Sequence, residues 1–394
     1  MVDLRSSFGD ELHVMLRAAA EQAPLATDSV SGATVVLRHA DVESLARDPR
    51  LAGVGLTFFD FMGIDSGPLR DWYGRLMFTN EGPAHDRMRA LVSRAFTPRS
   101  VEALREDAHR MADDAIERVV DAGGGDLVDA FALLAMRVMC RLLGVPESDV
   151  AVFGVWADAL SPIFGFMEPP QIAAATDAIG ELLAYVGGLA DERRRQPSDD
   201  LITGLLAAEE DGDRLTHEEL VIMVANLLVA GHDTTTSQVG CSLLTLLRYA
   251  AEAARLREAP EMLVSAVEET IRYEPSIPAV PRTVTAHVTV ADTELGPGAM
   301  VLLCTAAANR EPGTWIEPDR FDVARFTNKG MPRLLTFGAG PHFCLGAALA
   351  RTTLQECVRA VAAEERLRLD EDPADLPWRT VLGRSPARLP VTVG

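Results

Sequence analysis

The stretch Phe337-Gly-Ala-Gly-Pro-His-Phe-Cys-Leu-Gly346 places one cysteine, Cys344, among three glycines and a proline. The glycines allow the backbone to turn tightly and to approach a flat ligand closely. A helical pattern starts at about Ala347, so the thiol precedes a helix N-terminus, where amide groups and the helix dipole lower its pKa and favour the thiolate. An isolated cysteine in a glycine-rich turn is more often a buried core residue, so the remaining positions of the string decide between the two interpretations.

The composition is that of an acidic globular chain. The sequence has 394 residues and a formal net charge of −21, which argues against nucleic-acid binding because that function needs a basic face. It contains neither an uninterrupted apolar run of membrane-spanning length nor an apolar secretory signal. Five scattered cysteines form no C-x-x-C pair, which fits a reducing compartment. We therefore expect a cytoplasmic, monomeric protein that does not enter the membrane.

Apolar periodicity predicts that helices dominate. One helix is expected from about Ser100 to Asp121 and another from about Phe131 to Leu143. Thr216-His-Glu-Glu219 has the pattern of a capping box and precedes an apolar run that continues to about Tyr249. A helix of this length, apolar nearly all round, is expected to be buried through the middle of the molecule.

Strand signals are few and short. They fall at Ala33–Leu37, Val288–Val290, Met300–Cys304 and Leu389–Val393. The prolines and glycines between Asn309 and Arg333 predict a long irregular connection, and long ordered loops of this kind are usually functional. Because no repeat or linker interrupts the chain, residues 1–394 are expected to form one mainly helical domain.

The complete string from Phe337 to Gly346 matches the pattern F-G-x-G-x-[H/R]-x-C-x-G, and in this respect the chain resembles the cytochrome P450 family. The resemblance implies a mainly α fold with small β-sheets, in which a long central helix lies over a haem b. It also implies that Cys344 is the iron ligand and that Phe337, Gly338, His342 and Gly346 contribute to the haem-binding loop. The other cysteines are then small core residues.

Glu269-Thr-Ile-Arg272 matches the family's E-x-x-R motif. Residues at i and i+3 share one helical face, so Glu269 and Arg272 are expected to pair. A generic helical ion pair would look the same. The resemblance adds Arg320, from the segment Pro318-Asp-Arg-Phe321, as the third member of a structural clamp for the haem-binding loop.

Ala230-Gly-His-Asp-Thr-Thr235 interrupts the apolar run with residues that are poor choices for a helix interior. Residues that contradict the local helix preference often mark a functional site. The alternative is an incidental group of polar residues near a helix end. The cluster is similar to the family's oxygen-binding motif. That resemblance implies that Ala230 lies against the cofactor, Gly231 opens space for dioxygen, Thr234 hydrogen-bonds to the oxygen and Asp233 relays protons.

His85 and Arg89 lie one helical turn apart and share a face. By resemblance, this pair binds the haem propionates together with Arg282 and His342, because charged bonds to carboxylates are strong. A lone H-x-x-x-R is usually a solvated helix face. The preceding Glu81-Gly-Pro-Ala84 departs slightly from the residues that usually begin this motif in the family. The departure affects the expected backbone turn more than the expected contacts with the propionates.

Three apolar segments are expected to line a substrate pocket if the family's layout holds, although plain core packing would give the same composition. The candidate residues are Phe58, Phe59, Phe61, Phe164, Phe166, Ile277 and Val280. With few polar groups among them, they predict a hydrophobic small-molecule substrate such as a secondary metabolite, a terpenoid, a steroid or a fatty-acid-like compound.

The sequence has no flavin- or iron–sulfur-binding pattern such as C-x4-C-x2-C, so electrons are expected from a separate ferredoxin and its reductase. A basic patch for that partner is predicted around Arg94, Arg333 and Arg351. A peroxide-driven peroxygenase, an enzyme that rearranges its substrate without oxygen, and a non-catalytic haem-based sensor remain alternatives. The first two would more readily dispense with the pair Asp233-Thr234.

Overall fold

Helices dominate the chain, as its periodicity predicts, and short strands form small sheets. We describe a computed structural model that covers residues 1–165, 167–208, 213–380 and 383–394, without the side chains of residues 58 and 61. The helices are α1 (Gly9–Gln22), α2 (His39–Leu45), α3 (Thr57–Phe61), α4 (Pro68–Gly74), α5 (Gly82–Ala95), α6 (Pro98–Glu102), α7 (Arg105–Asp121), α8 (Leu127–Phe131), α9 (Leu134–Leu143), α10 (Val150–Leu160), α11 (Pro169–Arg195), α12 (Leu201–Ala207), α13 (His217–Arg248), α14 (Ala250–Glu258), α15 (Leu263–Tyr273), α16 (Thr305–Ala308) and α17 (Ala347–Ala363).

The strands pair into a five-stranded sheet of order β1-β2-β8-β5-β3, a three-stranded sheet of order β4-β12-β9, and the hairpins β6-β7 and β10-β11. Only β2 and β8 run parallel among these pairs, with Thr34 opposite Val301. The strands are β1 (Leu25–Thr27), β2 (Thr34–Val36), β3 (Leu51–Ala52), β4 (Gly124–Asp126), β5 (Val280–Val284), β6 (Val288–Val290), β7 (Thr293–Leu295), β8 (Met300–Leu303), β9 (Leu367–Leu369), β10 (Trp378–Thr380), β11 (Arg384–Pro386) and β12 (Pro390–Val393).

The long helix α13 confirms the prediction made from the apolar run. It begins after the capping box of Thr216 and Glu219, in which each side chain accepts a hydrogen bond from the other residue's backbone N–H. It ends at Arg248, one residue before the predicted end. It is buried along most of its length and packs against α9, α10, α11, α15 and α17, so it forms the centre of the helical core.

Two predicted helices differ from the observed ones at their N-terminal ends. The region expected to be helical from about residue 100 to 121 forms α6 and α7, with a break at Ala103 and Leu104. The second predicted helix, from about Phe131 to Leu143, is α9, which starts three residues later at Leu134, whereas Phe131 is the last residue of α8. The predicted strands occur within two residues of their expected bounds, and the connection from 309 to 333 is irregular apart from one short turn of helix at Arg325–Thr327.

Helix α11 is long and apolar enough to cross a membrane by length and composition. One side of it is buried, through residues such as Ala175, Ile179, Leu182 and Val186, and the helix packs against α4, α10, α12 and α13. These contacts account for the buried apolar residues of the helix, which form its packing face within the fold.

A buried cluster of charges joins α15 to the irregular connection. Arg272 donates two hydrogen bonds to the carboxylate of Glu269, at 2.7 and 2.9 Å. Arg325 donates to the same carboxylate at 2.9 and 3.0 Å. The side chains of Glu269 and Arg272 are wholly buried and that of Arg325 is nearly so. One carboxylate between two guanidinium groups therefore holds the helix and the connection together.

The guanidinium groups also satisfy backbone carbonyls that have no regular secondary structure to join. Arg272 donates to the carbonyls of Asn309 and Pro318 at 2.9 and 2.8 Å. Arg325 donates to the carbonyls of Ile316 and Glu317 at 2.5 and 3.1 Å. These bonds fix the path of a chain segment that lacks a helix or sheet of its own.

Arg320 is not the third member of this clamp, contrary to the sequence-based prediction. Its side chain is 54% exposed and pairs with Glu317 at 3.0 Å. Only the backbone of Arg320 takes part, because its carbonyl accepts hydrogen bonds from Arg272 and Arg325 at 3.3 and 2.6 Å. The chain turns at Glu317, where φ is +44°, and this turn brings Arg325 instead of Arg320 to Glu269.

We predict that Arg325→Met lowers the free energy of unfolding by about 3–5 kcal/mol, because the substitution leaves Glu269 buried with one of its two charged partners missing. The matched control Arg320→Met removes an arginine from the same segment and is expected to change stability by about 0.5 kcal/mol at most. Urea midpoints of the two holoproteins provide the measurement. Equal losses in both variants would contradict the assignment of the clamp to Arg325.

Candidate active site

The cysteine loop runs from Phe337 to Gly346 and ends where α17 begins. The Cys344 amide donates to the Phe337 carbonyl at 2.9 Å, which closes the loop on itself. Gly338 and Gly340 adopt φ values of +74° and +69°, a conformation that residues with a Cβ rarely adopt. A Cβ on Gly340 would also lie 2.7 Å from the carbonyl oxygen of Ala46, so this glycine lets the loop approach the end of α2.

The electrostatic setting of Cys344 differs from the prediction of a lowered thiol pKa. Burial among protein atoms raises the pKa of the free thiol, and the Gly346 amide together with Arg89 and Arg351 only partly offsets this effect. Cys344 is nevertheless accessible to solvent. A bound metal ion would deprotonate a coordinating thiol outright, so the raised pKa is compatible with iron ligation.

Asn309, which the sequence analysis did not single out, connects the loop to the buried clamp. Its side chain accepts a hydrogen bond from the Leu335 amide at 3.0 Å and donates to Thr336 Oγ1 at 2.7 Å. Its own carbonyl accepts from Arg272 at 2.9 Å. Asn309 is fully buried, so it fixes the residues that lead into the cysteine loop. Its position at the start of the irregular connection was the only feature of the sequence that could have indicated this role.

Two histidines meet beside the cysteine loop. The rings of His85, on α5, and His342 lie 4.4 Å apart. His85 is 2% exposed, and its Nε2 has no hydrogen-bond partner among the described residues. His342 Nε2 lies 2.9 Å from the carboxylate of Glu81, a residue the sequence analysis had not placed in the site, and burial lowers the pKa of His342.

Two arginines complete this set of candidate carboxylate ligands. Burial lowers the pKa of both Arg89 and Arg282, although the nearby Cys344 and Glu81, respectively, oppose the shift. Partly desolvated arginines and a buried, unpartnered imidazole nitrogen form a donor set suited to carboxylate groups. These residues therefore fit the propionates of a haem whose iron is held by Cys344.

Thr234 makes the hydrogen bond that its position in a helix suggests. Its hydroxyl donates to the carbonyl of Ala230 at 2.7 Å, and α13 remains α-helical throughout this region. The interpretation of Gly231 as a space for dioxygen needs correction. A Cβ on Gly231 would point at Met139 of α9, 3.1 Å from its sulfur, so the glycine permits close packing of α13 against α9.

Asp233 is buried and faces the C-terminal hairpin. The backbone N–H of Gly383 donates to its Oδ2 at 2.7 Å. Arg379, on β10, places a guanidinium nitrogen 3.7 Å from its Oδ1. Neither residue belongs to a sequence motif, so the sequence analysis missed both. The candidate proton donor is thus held by an element 150 residues away in the chain.

The predicted pocket residues fall into different groups. Phe59 is completely buried, with its ring 4.6 Å from that of Tyr73, so it is a core residue and not part of a pocket wall. Phe164 is half-buried and its ring contacts Phe78 and Tyr73. Ile277, three residues before β5, and Val280, its first residue, are half-buried and remain predicted pocket residues. Phe166 and the side chains of Phe58 and Phe61 lie outside the described part of the chain.

The arginines of the predicted basic patch differ in their exposure and in their charge pairing. Arg94 and Arg333 are exposed. Arg351 donates to Glu268 at 2.5 and 2.9 Å and lies over the ring of Phe337, 4.4 Å from its centroid. Because its charge is paired within the protein, Arg351 supports the cysteine loop and does not offer a free charge to a partner.

Known proteins resemble this chain in sequence and in fold. A family model described as Cytochrome P450 matches residues 189–372. The chain is 37% identical to cytochrome P450 107B1 of Saccharopolyspora erythraea over 375 residues, which cover 92% of this chain and 89% of the relative. It is 36% identical to mycinamicin IV hydroxylase/epoxidase of Micromonospora griseorubida over 323 residues, 80% of this chain and 79% of the relative. The crystal structure of CalO2 superposes with a TM-score of 0.90 at 29% identity, covering 98% of this chain and 96% of that one.

The helical fold and its cysteine loop define a haem-iron oxidoreductase. The chain belongs to the cytochrome P450 family, and it is a P450 monooxygenase. Haem iron is the cofactor of this family.

We predict that His85→Phe weakens haem retention, because the substitution keeps an aromatic ring but removes the buried Nε2. A lost charge-assisted bond is worth about 1.5–3 kcal/mol, so haem transfer to excess apomyoglobin is expected to become at least about tenfold faster. His287→Phe, at an exposed position, is the control. A wild-type transfer rate in His85→Phe would remove this residue from the haem site.

Proposed function

We propose that the enzyme uses dioxygen and a haem b held by Cys344 to hydroxylate or epoxidise a hydrophobic small molecule. The observation that carries the proposal is the pairing of a buried acid and an alcohol, Asp233 and Thr234, in successive positions of the central helix. An oxygen-activating enzyme needs protons at a site from which bulk water is excluded. The pair favours this route over a peroxide-driven reaction or a non-catalytic sensor.

The bound haem supplies the oxidation itself, and the protein supplies the axial ligand, proton delivery and a dry pocket. In this proposal, the thiolate of Cys344 holds the iron, while His85, His342, Arg89 and Arg282 bind the propionates. Thr234 uses its single proton in the bond to the Ala230 carbonyl, and its oxygen still has lone pairs that can accept a hydrogen bond.

Asp233 is the residue that would supply protons to the reaction centre. It follows Gly231 and His232 in the same turn of α13 and lies beside Thr234 in the sequence, with the hairpin on its other side. Phe337, Gly338 and Gly346 would shape the loop around the cofactor, and Ala230 would lie against it.

The substrate is proposed to be a secondary metabolite, a terpenoid, a steroid or a fatty-acid-like compound. The half-buried apolar side chains of Phe164, Ile277 and Val280 support this class. One relative acts on mycinamicin IV, as its name states, and carries out both hydroxylation and epoxidation.

Electrons are proposed to come from a ferredoxin and its reductase, because the sequence carries no motif for a flavin or an iron–sulfur cluster of its own. The exposed Arg94 and Arg333 would form the basic docking patch. We further propose one domain over residues 1–394, a monomeric state, a cytoplasmic location and no binding to membranes or nucleic acid.

We predict that Thr234→Ala uncouples turnover, so that product formed per NAD(P)H oxidised falls by at least about tenfold, because proton delivery typically contributes 10²–10⁴ in rate. Thr245→Ala is a matched control. Thr245 lies on the same helix, and its hydroxyl makes the same bond to the carbonyl four residues earlier, at 2.8 Å. Unchanged coupling in Thr234→Ala would favour the peroxide-driven or sensor alternatives.

We predict that reduction by an acidic plant-type ferredoxin slows as salt rises, because screening weakens electrostatic steering. Arg333→Gln is expected to lower the second-order rate several-fold at low salt. Arg118→Gln is the charge-matched control, since Arg118 lies in the last turn of α7, at the end that packs on the three-stranded sheet. A salt-independent rate, or equal effects of both variants, would contradict the docking patch.

A further inference from the structure

The hairpin formed by β10 and β11 approaches α13 closely at Asp233. A Cβ on Gly383 would lie 2.7 Å from the Cβ of Ser237, one turn after Asp233 on the same helix. A contact this short would force the helix or the hairpin to shift, so glycine is the residue that allows the observed approach. The close approach brings the Gly383 N–H to within 2.7 Å of Asp233 Oδ2.

Arg379 reaches the same carboxylate from the neighbouring strand. Its Nη1 lies 3.7 Å from Asp233 Oδ1, and its Nε donates to Ser385 Oγ at 3.1 Å, which orients the guanidinium group. The Arg379 side chain is 33% exposed, whereas the Asp233 side chain is 5% exposed. Arg379 therefore connects a buried carboxylate with solvent.

The position of the hairpin is itself fixed by buried contacts. Arg384, on β11, is almost fully buried and pairs with Glu274, the residue that follows α15. The Arg384 amide donates to the Ser276 carbonyl at 2.9 Å, and the Cys241 thiol donates to the Arg384 carbonyl at 3.3 Å. These contacts join the hairpin to α13 and to the end of α15.

We propose that this hairpin is the positioning element for proton delivery, with Gly383 and Arg379 as positioning residues for Asp233. The Gly383 amide sets the direction of the carboxylate, and the Arg379 guanidinium links that carboxylate to solvent, from which Asp233 regains its proton after each transfer. The inference rests on the proposed role of Asp233 and extends it to residues that touch neither substrate nor cofactor.

Arg379→Gln is expected to lower product formed per NAD(P)H oxidised by about tenfold and to increase the solvent isotope effect on turnover, because reprotonation of Asp233 becomes slower. Arg379→Lys keeps the charge and is expected to restore most of the coupling. Arg388→Gln, which removes an exposed arginine that pairs with Glu371, is the control. The infrared band of the Asp233 carboxylate, identified by its loss in Asp233→Asn, is expected to shift in Arg379→Gln.

Gly383→Ala tests the amide separately. The new methyl group would collide with Ser237, move the hairpin and lengthen the bond to Asp233, so coupling is expected to fall. Ser237→Gly removes the colliding atoms, after which the nearest atom to the new methyl group is the Asp233 carbonyl oxygen at 3.6 Å. The double variant Gly383→Ala, Ser237→Gly is therefore expected to regain coupling.

The outcomes separate this inference from the proposed function. If Asp233→Asn leaves coupling and the isotope effect unchanged, the proposed role of Asp233 fails. If Asp233→Asn uncouples turnover but Arg379→Gln and Gly383→Ala lower only the thermal midpoint, the hairpin is merely structural and the inference is overturned.

Discussion

A single buried carboxylate, Glu269, holds the cysteine side of this enzyme in place. Two arginines share it, and their remaining donors bind carbonyls of an irregular segment that has no sheet or helix to satisfy them. Removing three charges from water is costly, and such a cluster is stable only when nearly all of its hydrogen bonds are made. Asn309 then transmits this fixed geometry to Leu335 and Thr336, and so to the loop that carries Cys344.

Much of the fold and the main site residues were predictable because their information is local. The capping box at Thr216 and the apolar run after it define α13, and the glycine-rich string defines the cysteine loop. The clamp shows the limit of local information. Arg320 and Arg325 are five residues apart in one irregular segment, and no local pattern indicates that Arg325 is the buried one and Arg320 the exposed one.

Other features depend on packing that no motif records. Gly231 lies within a recognisable oxygen-binding pattern, yet the atom it lacks would point at Met139, which only the three-dimensional arrangement of α9 and α13 reveals. The pKa of Cys344 results from a competition between helix amides and burial, and the sequence indicated only the first of these. Arg379 and Gly383 meet Asp233 from about 150 residues away, so spacing along the chain could not identify them.

The cysteine loop and Asp233 are held in place by two separate groups of contacts, and both groups involve α15 or the residue that follows it. Within α15, Glu269 and Arg272 fix the segment leading to Cys344. Immediately after its last turn, Glu274 pairs with Arg384 of the hairpin that faces Asp233. Burial would raise the pKa of Glu274, but Arg384 and His13 lower it to about 2, so this pair remains charged at neutral pH. Because α15 packs on α13, it links the segment that leads to Cys344 with the hairpin that faces Asp233. A displacement of α15 would therefore change both sides of the reaction centre together.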